Sequence, residues 1–175
     1  MQNNSPPAVN NNIRWWYPSA ALVFVIACLT LEHLNGGVQS HHLLNNPDLP
    51  AISNWFGLVT LPILAALFAQ RVTQQVKQRP LFIVFGSAVL YGALMAITFT
   101  YDASDITGAL FIGLIALSIV LPVFRVEYIF GFVVGMSYTF GGVLPLIVAS
   151  VLGFVSFVVR STFLTIKKRL NSRSS

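Results

Sequence analysis

Glu32 and His33, then Ser40, His41 and His42, then Ser53 and Asn54 are the residues of this chain whose types could do chemistry. A carboxylate beside imidazoles is the set from which general acid–base catalysis is built. The same groups ligate zinc or another divalent metal. Ser and Asn side chains add hydroxyl and amide groups for holding a ligand. All seven fall in one stretch, residues 32–54, which contains no Lys or Arg.

Glu32 is the least expected of them. It falls in the last turn of an apolar run, where the helix macrodipole is negative and disfavours a carboxylate by a few tenths to about 1 kcal/mol. It also falls at the edge of the hydrocarbon, where desolvation disfavours the charged form. Only His33, Asn35 and the following loop are near enough in sequence to compensate. These arguments nominate Glu32 as a catalytic base with His33 beside it, and Ser40, His41, His42, Ser53 and Asn54 as ligand-binding groups. The competing reading is an interfacial carboxylate, with His33 as a cation suited to a helix C-terminus.

As metal ligands, Glu32, His41 and His42 match no standard spacing, and the helical H-E-x-x-H pair is absent. Adjacent residues of an extended segment point to opposite sides, which argues against His41 and His42 sharing one ion. Membrane zinc amidohydrolases of the alkaline ceramidase and adiponectin receptor type spread their His over distant helices. Here all three His lie between positions 33 and 42, so that likeness is not carried over.

The elements that must position these residues are transmembrane helices. With 55% hydrophobic and 9% charged residues in 175, the chain is too apolar for a soluble domain. The net charge of +5 reflects basic residues flanking apolar runs, which set topology and meet anionic lipid head groups; it does not indicate a nucleic-acid partner. The single Cys28 excludes an internal disulfide.

Residues 1–13, Asn-rich and without apolar periodicity, are expected to be a disordered cytoplasmic tail. Arg14 and the aromatic run Trp15-Trp16-Tyr17 open helix 1, Pro18 fits its first turn, and Gly36-Gly37 ends it after about Leu34. Helix 2 is expected from about Ile52 to Gln70, helix 3 from Pro80 to about Thr100, and helix 4 from the turn at Asp102 and Asp105 to about Leu121. From Tyr128 to Val159 the chain carries no charge. One helix of that length would reach about 50 Å, far beyond the hydrocarbon, so the run must turn. Thr139-Phe140-Gly141-Gly142 is the natural place, with Pro145 in the first turn of helix 6. Helix 5 is short enough to be a re-entrant or tilted segment, which would leave five spans. Residues 14–165 form the bundle, including an extracytoplasmic loop at 35–52, and residues 166–175 a basic cytoplasmic tail.

With six spans, all ten Lys and Arg fall on one side, and all three His and four of the five acids on the other. The bias puts both termini in the cytoplasm. Compact size and the lack of a eukaryotic targeting signal suggest a bacterial inner (plasma) membrane. Val25-Ile26-Ala27-Cys28 also reads as a lipobox, with Cys28 as a lipidation site, but the apolar run continues past it. Asp102, Asp105, Asp48 and Ser53 suit helix starts, and Glu127 beside Arg125 suits a first helical turn with an ion pair. Small residues at Ser53, Gly57 and Thr60, and the pair Gly131 and Gly135, allow close helix packing within the chain or with a second copy.

Three functions follow in order. The first is an integral membrane protein that binds a lipid or a protein partner through its outer loop. The second is a membrane hydrolase or transferase, metal-dependent or not, acting on a lipid at the outer leaflet. The third is a small transporter subunit, which the uncharged helix middles do little to support.

Overall fold

The apolar runs all become helices in the computed structural model, which describes residues 13–42, 46, 48–75 and 78–171. The fold is an all-α bundle of six helices: α1 Ile13–Leu34, α2 Gly57–Gln74, α3 Arg79–Thr100, α4 Ser104–Val120, α5 Val126–Phe140 and α6 Val143–Asn171. Four of them, α1, α2 (with the turn before it), α3 and α6, are long and apolar enough to cross a membrane; α4 and α5 are shorter apolar helices.

Neighbouring helices alternate in direction. At one end Glu32 of α1 meets Asn54, just before α2, and Thr100 of α3 meets Thr139 of α5 across 3.4 Å. Toward the other end Phe68 of α2 gathers Tyr17 of α1, Phe85 of α3 and Phe130 of α5, with ring centroids 5.1–5.9 Å apart. Phe68 is 1% exposed and forms the hub of the main core. Every described Lys and Arg belongs to this second, basic end, and the acids Glu32, Asp48, Asp102 and Asp105 to the first. Lys77 and Arg173, and the tail 1–12, lie outside the described residues.

The expected turn at Gly141-Gly142 is present, and helix 5 is a short apolar helix packed within the bundle. It is the central helix, packed on α2, α3 and α6. Its glycines explain the fit to α3. A Cβ on Gly131 would strike the Phe85 carbonyl and Ala88, and one on Gly135 would strike the Val89 carbonyl and the Ala93 N–H. Gly57 likewise faces Val25 and Gly142. Both small-residue faces are thus used inside the chain.

Around the circumference Ile83, Leu90, Ile112, Val120 and Phe154 are each more than 60% exposed. So many large apolar side chains facing outward suit a hydrocarbon solvent rather than water.

Four elements add to the expectation or depart from it. The 35–52 loop is built on a short antiparallel hairpin, β1 Ser40–His42 with β2 Ala51–Ser53. Helix 2 starts later, after a 3₁₀ turn Asn54–Phe56, because Ile52 and Ser53 are taken up by β2, and it runs on to Gln74. Helix 6 continues through the basic segment to Asn171, where Lys168 and Arg169 in its last turn favour the negative dipole end. The α3–α4 turn is not capped by an aspartate side chain either: Asp102 adopts φ 54°, and the N-cap position falls on Ala103. Asp105 sits in the first turn of α4, where the dipole favours it.

Candidate functional site

Two places in the bundle are shaped to do more than pack. The first is the polar group at the hairpin end. Glu32 Oε1 accepts a hydrogen bond from the Asn54 side-chain amide at 2.8 Å, and Oε2 accepts one from the Gln39 N–H at 3.1 Å. The Asn54 N–H in turn donates to the Gln39 carbonyl at 3.0 Å. α1 supplies the carboxylate because Gly36 and Gly37, both at positive φ, let the chain double back, and the Gly37 N–H closes on the Glu32 carbonyl. Asn54 is only 4% exposed, pressed against Gly141, whose φ of +66° and missing Cβ make room for it. Glu32, Asn54, Cys28, Ser137 and Gly141 line a small cleft of about 240 Å³.

The compensation missing for Glu32 in the sequence is therefore supplied from residues 39 and 54. The carboxylate works as a clasp, fastening the hairpin to the end of α1. Glu32→Ala would leave the buried Asn54 amide without its acceptor, a cost of about 1–3 kcal/mol. Its effect should be local: hydrogen exchange at the amides of residues 39–42 and 51–54 should rise while that of α3 and α5 stays slow. Uniform slow exchange in the variant would rule out the clasp.

The structure brings His41 close enough to feel the charge of Glu32 but bonds none of the three histidines to it. Among the described residues no hydrogen bond or ion pair joins them, and no group of three His, Cys, Asp or Glu side chains could hold a metal ion. His33 is exposed on the last turn of α1. His42 points outward, its Nδ1–H donating to the Leu49 carbonyl at 2.7 Å. Ser40 is exposed and pairs in register with Ser53, whose Oγ accepts from the Trp55 N–H at 3.4 Å and caps the 3₁₀ turn. Cys28 is buried inside α1.

His41, on the opposite side of β1, packs its ring 5.8 Å from Phe140, and its Nε2 is buried without a hydrogen-bond partner. Burial pushes this imidazole below its ordinary value of 6.5; Glu32 and the Thr139 backbone act weakly in the other direction. The neutral ring is therefore the one that fits. Its contribution to holding the hairpin is complete above about pH 6.5 and is lost as pH falls below that through the lowered folded-state value. Hairpin amide exchange should accelerate on acidification, and His41→Phe, which keeps the ring and loses the titration, should flatten that response.

The second place is a half-open cleft of about 180 Å³ between α3, α4, α5 and α6. Leu114 and Leu117 of α4, Ile129 and Phe132 of α5, and Leu152 of α6 are part of its wall. The polar groups on the wall are turned to their own helices or neighbours. Tyr91 donates to the Leu110 carbonyl at 2.6 Å, and Ser87 to the Val84 carbonyl at 2.8 Å. The lining is thus mainly apolar, with the Tyr128 ring at the end near the α4–α5 turn.

This cavity runs toward the basic end, where the tight α4–α5 turn (residues 121–125) is held against α6. Ser156 Oγ donates to the Leu121 carbonyl at 2.6 Å, and the Phe124 and Phe157 rings meet edge to face at 5.7 Å. Next to it Arg125 Nη2 lies 2.6 Å from Glu127 Oε1. Glu127 is completely buried, and its Oε2 has no hydrogen-bond partner. The sequence announces the ion pair through the i, i+2 spacing at a helix start, but not the burial, which depends on α5 being central.

No protein family matches the chain, and no curated protein or solved structure is significantly similar to it.

Proposed function

We propose that this chain is a multi-pass membrane protein that binds a membrane lipid in the cavity between α3, α4, α5 and α6, and that it has no catalytic centre at Glu32. The positive-inside rule supports a cytoplasmic basic end and an extracytoplasmic hairpin end. The observation that carries the lipid reading is the cavity itself: a half-open, mainly apolar space of about 180 Å³ in a bundle with many large apolar side chains exposed on its outer surface. A lipid chain is the solute such a space meets at the highest concentration.

The hydrolase or transferase reading has less support, because both Glu32 oxygens are engaged in holding the hairpin and, among the described residues, no histidine is hydrogen-bonded to either.

Leu117 lines the cavity and is partly exposed, so a larger side chain can enter the space without displacing the core. Leu117→Trp should abolish the phospholipid that co-purifies with the wild-type protein in mild detergent, as read by native mass spectrometry, while the helical content and elution volume stay unchanged. Equal lipid retention by the two proteins would refute this reading.

A further inference from the structure

The cavity sits at one level of the bundle, and its neighbours at that level carry charge. The α4–α5 turn bonds to Ser156, which stands four residues, or about 6 Å of helix, short of Arg160. α6 then continues to Asn171, about 22 Å beyond Ser156. The turn therefore lies inside the basic end rather than beyond it. Val123 and Tyr128, which line the cavity, bracket Arg125 in sequence. The Arg125 side chain is 35% exposed; one terminal nitrogen pairs with Glu127, and its Nε is buried. Glu127 fixes the guanidinium in place from the buried side. The remaining described cations of this end, Arg14, Arg71, Arg79, Arg160, Lys167, Lys168 and Arg169, outnumber its one acid, so this end of the bundle is basic.

We infer that the occupant is a phospholipid of the cytoplasmic leaflet with an anionic head group, its acyl chain in the cavity and its phosphate on Arg125. This rests on the lipid reading above and adds the leaflet and the head-group class. An arginine in the turn between the cavity-lining Val123 and Tyr128 suits the charge and planar geometry of a phosphodiester. A zwitterionic lipid brings the same phosphate together with an ammonium that the surrounding cations repel. Glu127 is a positioning residue here: it orients the guanidinium and does not touch the lipid.

The test uses the full chain reconstituted in nanodiscs. These hold equal amounts of phosphatidylglycerol, phosphatidylcholine and diacylglycerol with identical acyl chains, and the lipid retained after ejection is identified by native mass spectrometry. Phosphatidylglycerol is expected to be retained over the other two by about fivefold, the factor one basic residue gives near an anionic surface. Arg125→Gln made together with Glu127→Gln, which removes both charges and strands neither, should erase that preference by lowering phosphatidylglycerol retention to the level of the other two lipids. Equal retention of the three lipids by the wild-type protein overturns the head-group assignment, and that arm stands even where the double variant fails to reconstitute. A preference unchanged in the double variant moves the phosphate away from Arg125 and also overturns it. Loss of all lipid in Leu117→Trp beside either result leaves the lipid reading standing, whereas retention that Leu117→Trp does not alter brings both down.

Discussion

Arg125→Ala is expected to destabilise the bundle by about 3–5 kcal/mol, the cost of stranding one partner of a buried ion pair. Glu127 has no accessible surface, and Arg125 is the cation bonded to it. Removing the guanidinium leaves a carboxylate inside the packing of α5, the helix that joins α2, α3 and α6. Replacing both residues by uncharged ones of similar size should cost far less, because the desolvation of two charges is removed along with their attraction. A reversible unfolding titration from mixed micelles distinguishes the two. Equal losses for the single and the double replacement would show that Arg125 matters for something other than its charge on Glu127.

Gly135→Ala should be the next most damaging single change, at about 2–3 kcal/mol, the upper range for forcing one methyl into a packed core. The added carbon would meet backbone atoms of Val89, Gly92 and Ala93, which cannot turn aside as a side chain can, so α3 and α5 would have to separate. Gly86 and Gly108 provide the control. A Cβ at either meets nothing within 4 Å, so Gly→Ala there should raise stability by about 0.5–1 kcal/mol through helix propensity alone. The same assay applied to all three should give opposite signs. A neutral Gly135→Ala would mean that the α3–α5 contact is not as close as the geometry has it.

Much of this was legible in the sequence, for identifiable reasons. Helix ends were readable wherever Gly, Pro or charge marks them, as at Gly36-Gly37, Pro80 and Gly141-Gly142, because those residues act on the backbone locally. The alternation of basic and acidic ends was readable because charge near an apolar run has few alternatives. The roles of the polar residues were less so. Glu32 could be singled out as a carboxylate needing compensation, but its partners, the Asn54 amide and the Gln39 N–H, come from a hairpin of three-residue strands. Strands that short carry no reliable periodicity. Asn54 entered the sequence argument as a ligand-binding residue and turns out to hold Glu32. The cavity was invisible in the sequence, since Leu114, Leu117, Phe132 and Leu152 are the residues any packed apolar helix would carry. Only the way four helices diverge leaves a space among them.

The shortness of α4 and α5 bears on the surrounding bilayer as well as on the chain. At 17 and 15 residues they span about 25 and 22 Å, against about 30 Å of hydrocarbon, while α6 at 29 residues spans about 43 Å. Lipid beside the α4 flank must thin to meet it, and lipid beside α6 need not, at a cost of fractions of a kcal/mol per Å of mismatch. The protein thus carries a thickness gradient around its circumference. It should collect in the thinner regions of a mixed membrane with its short flank turned toward them.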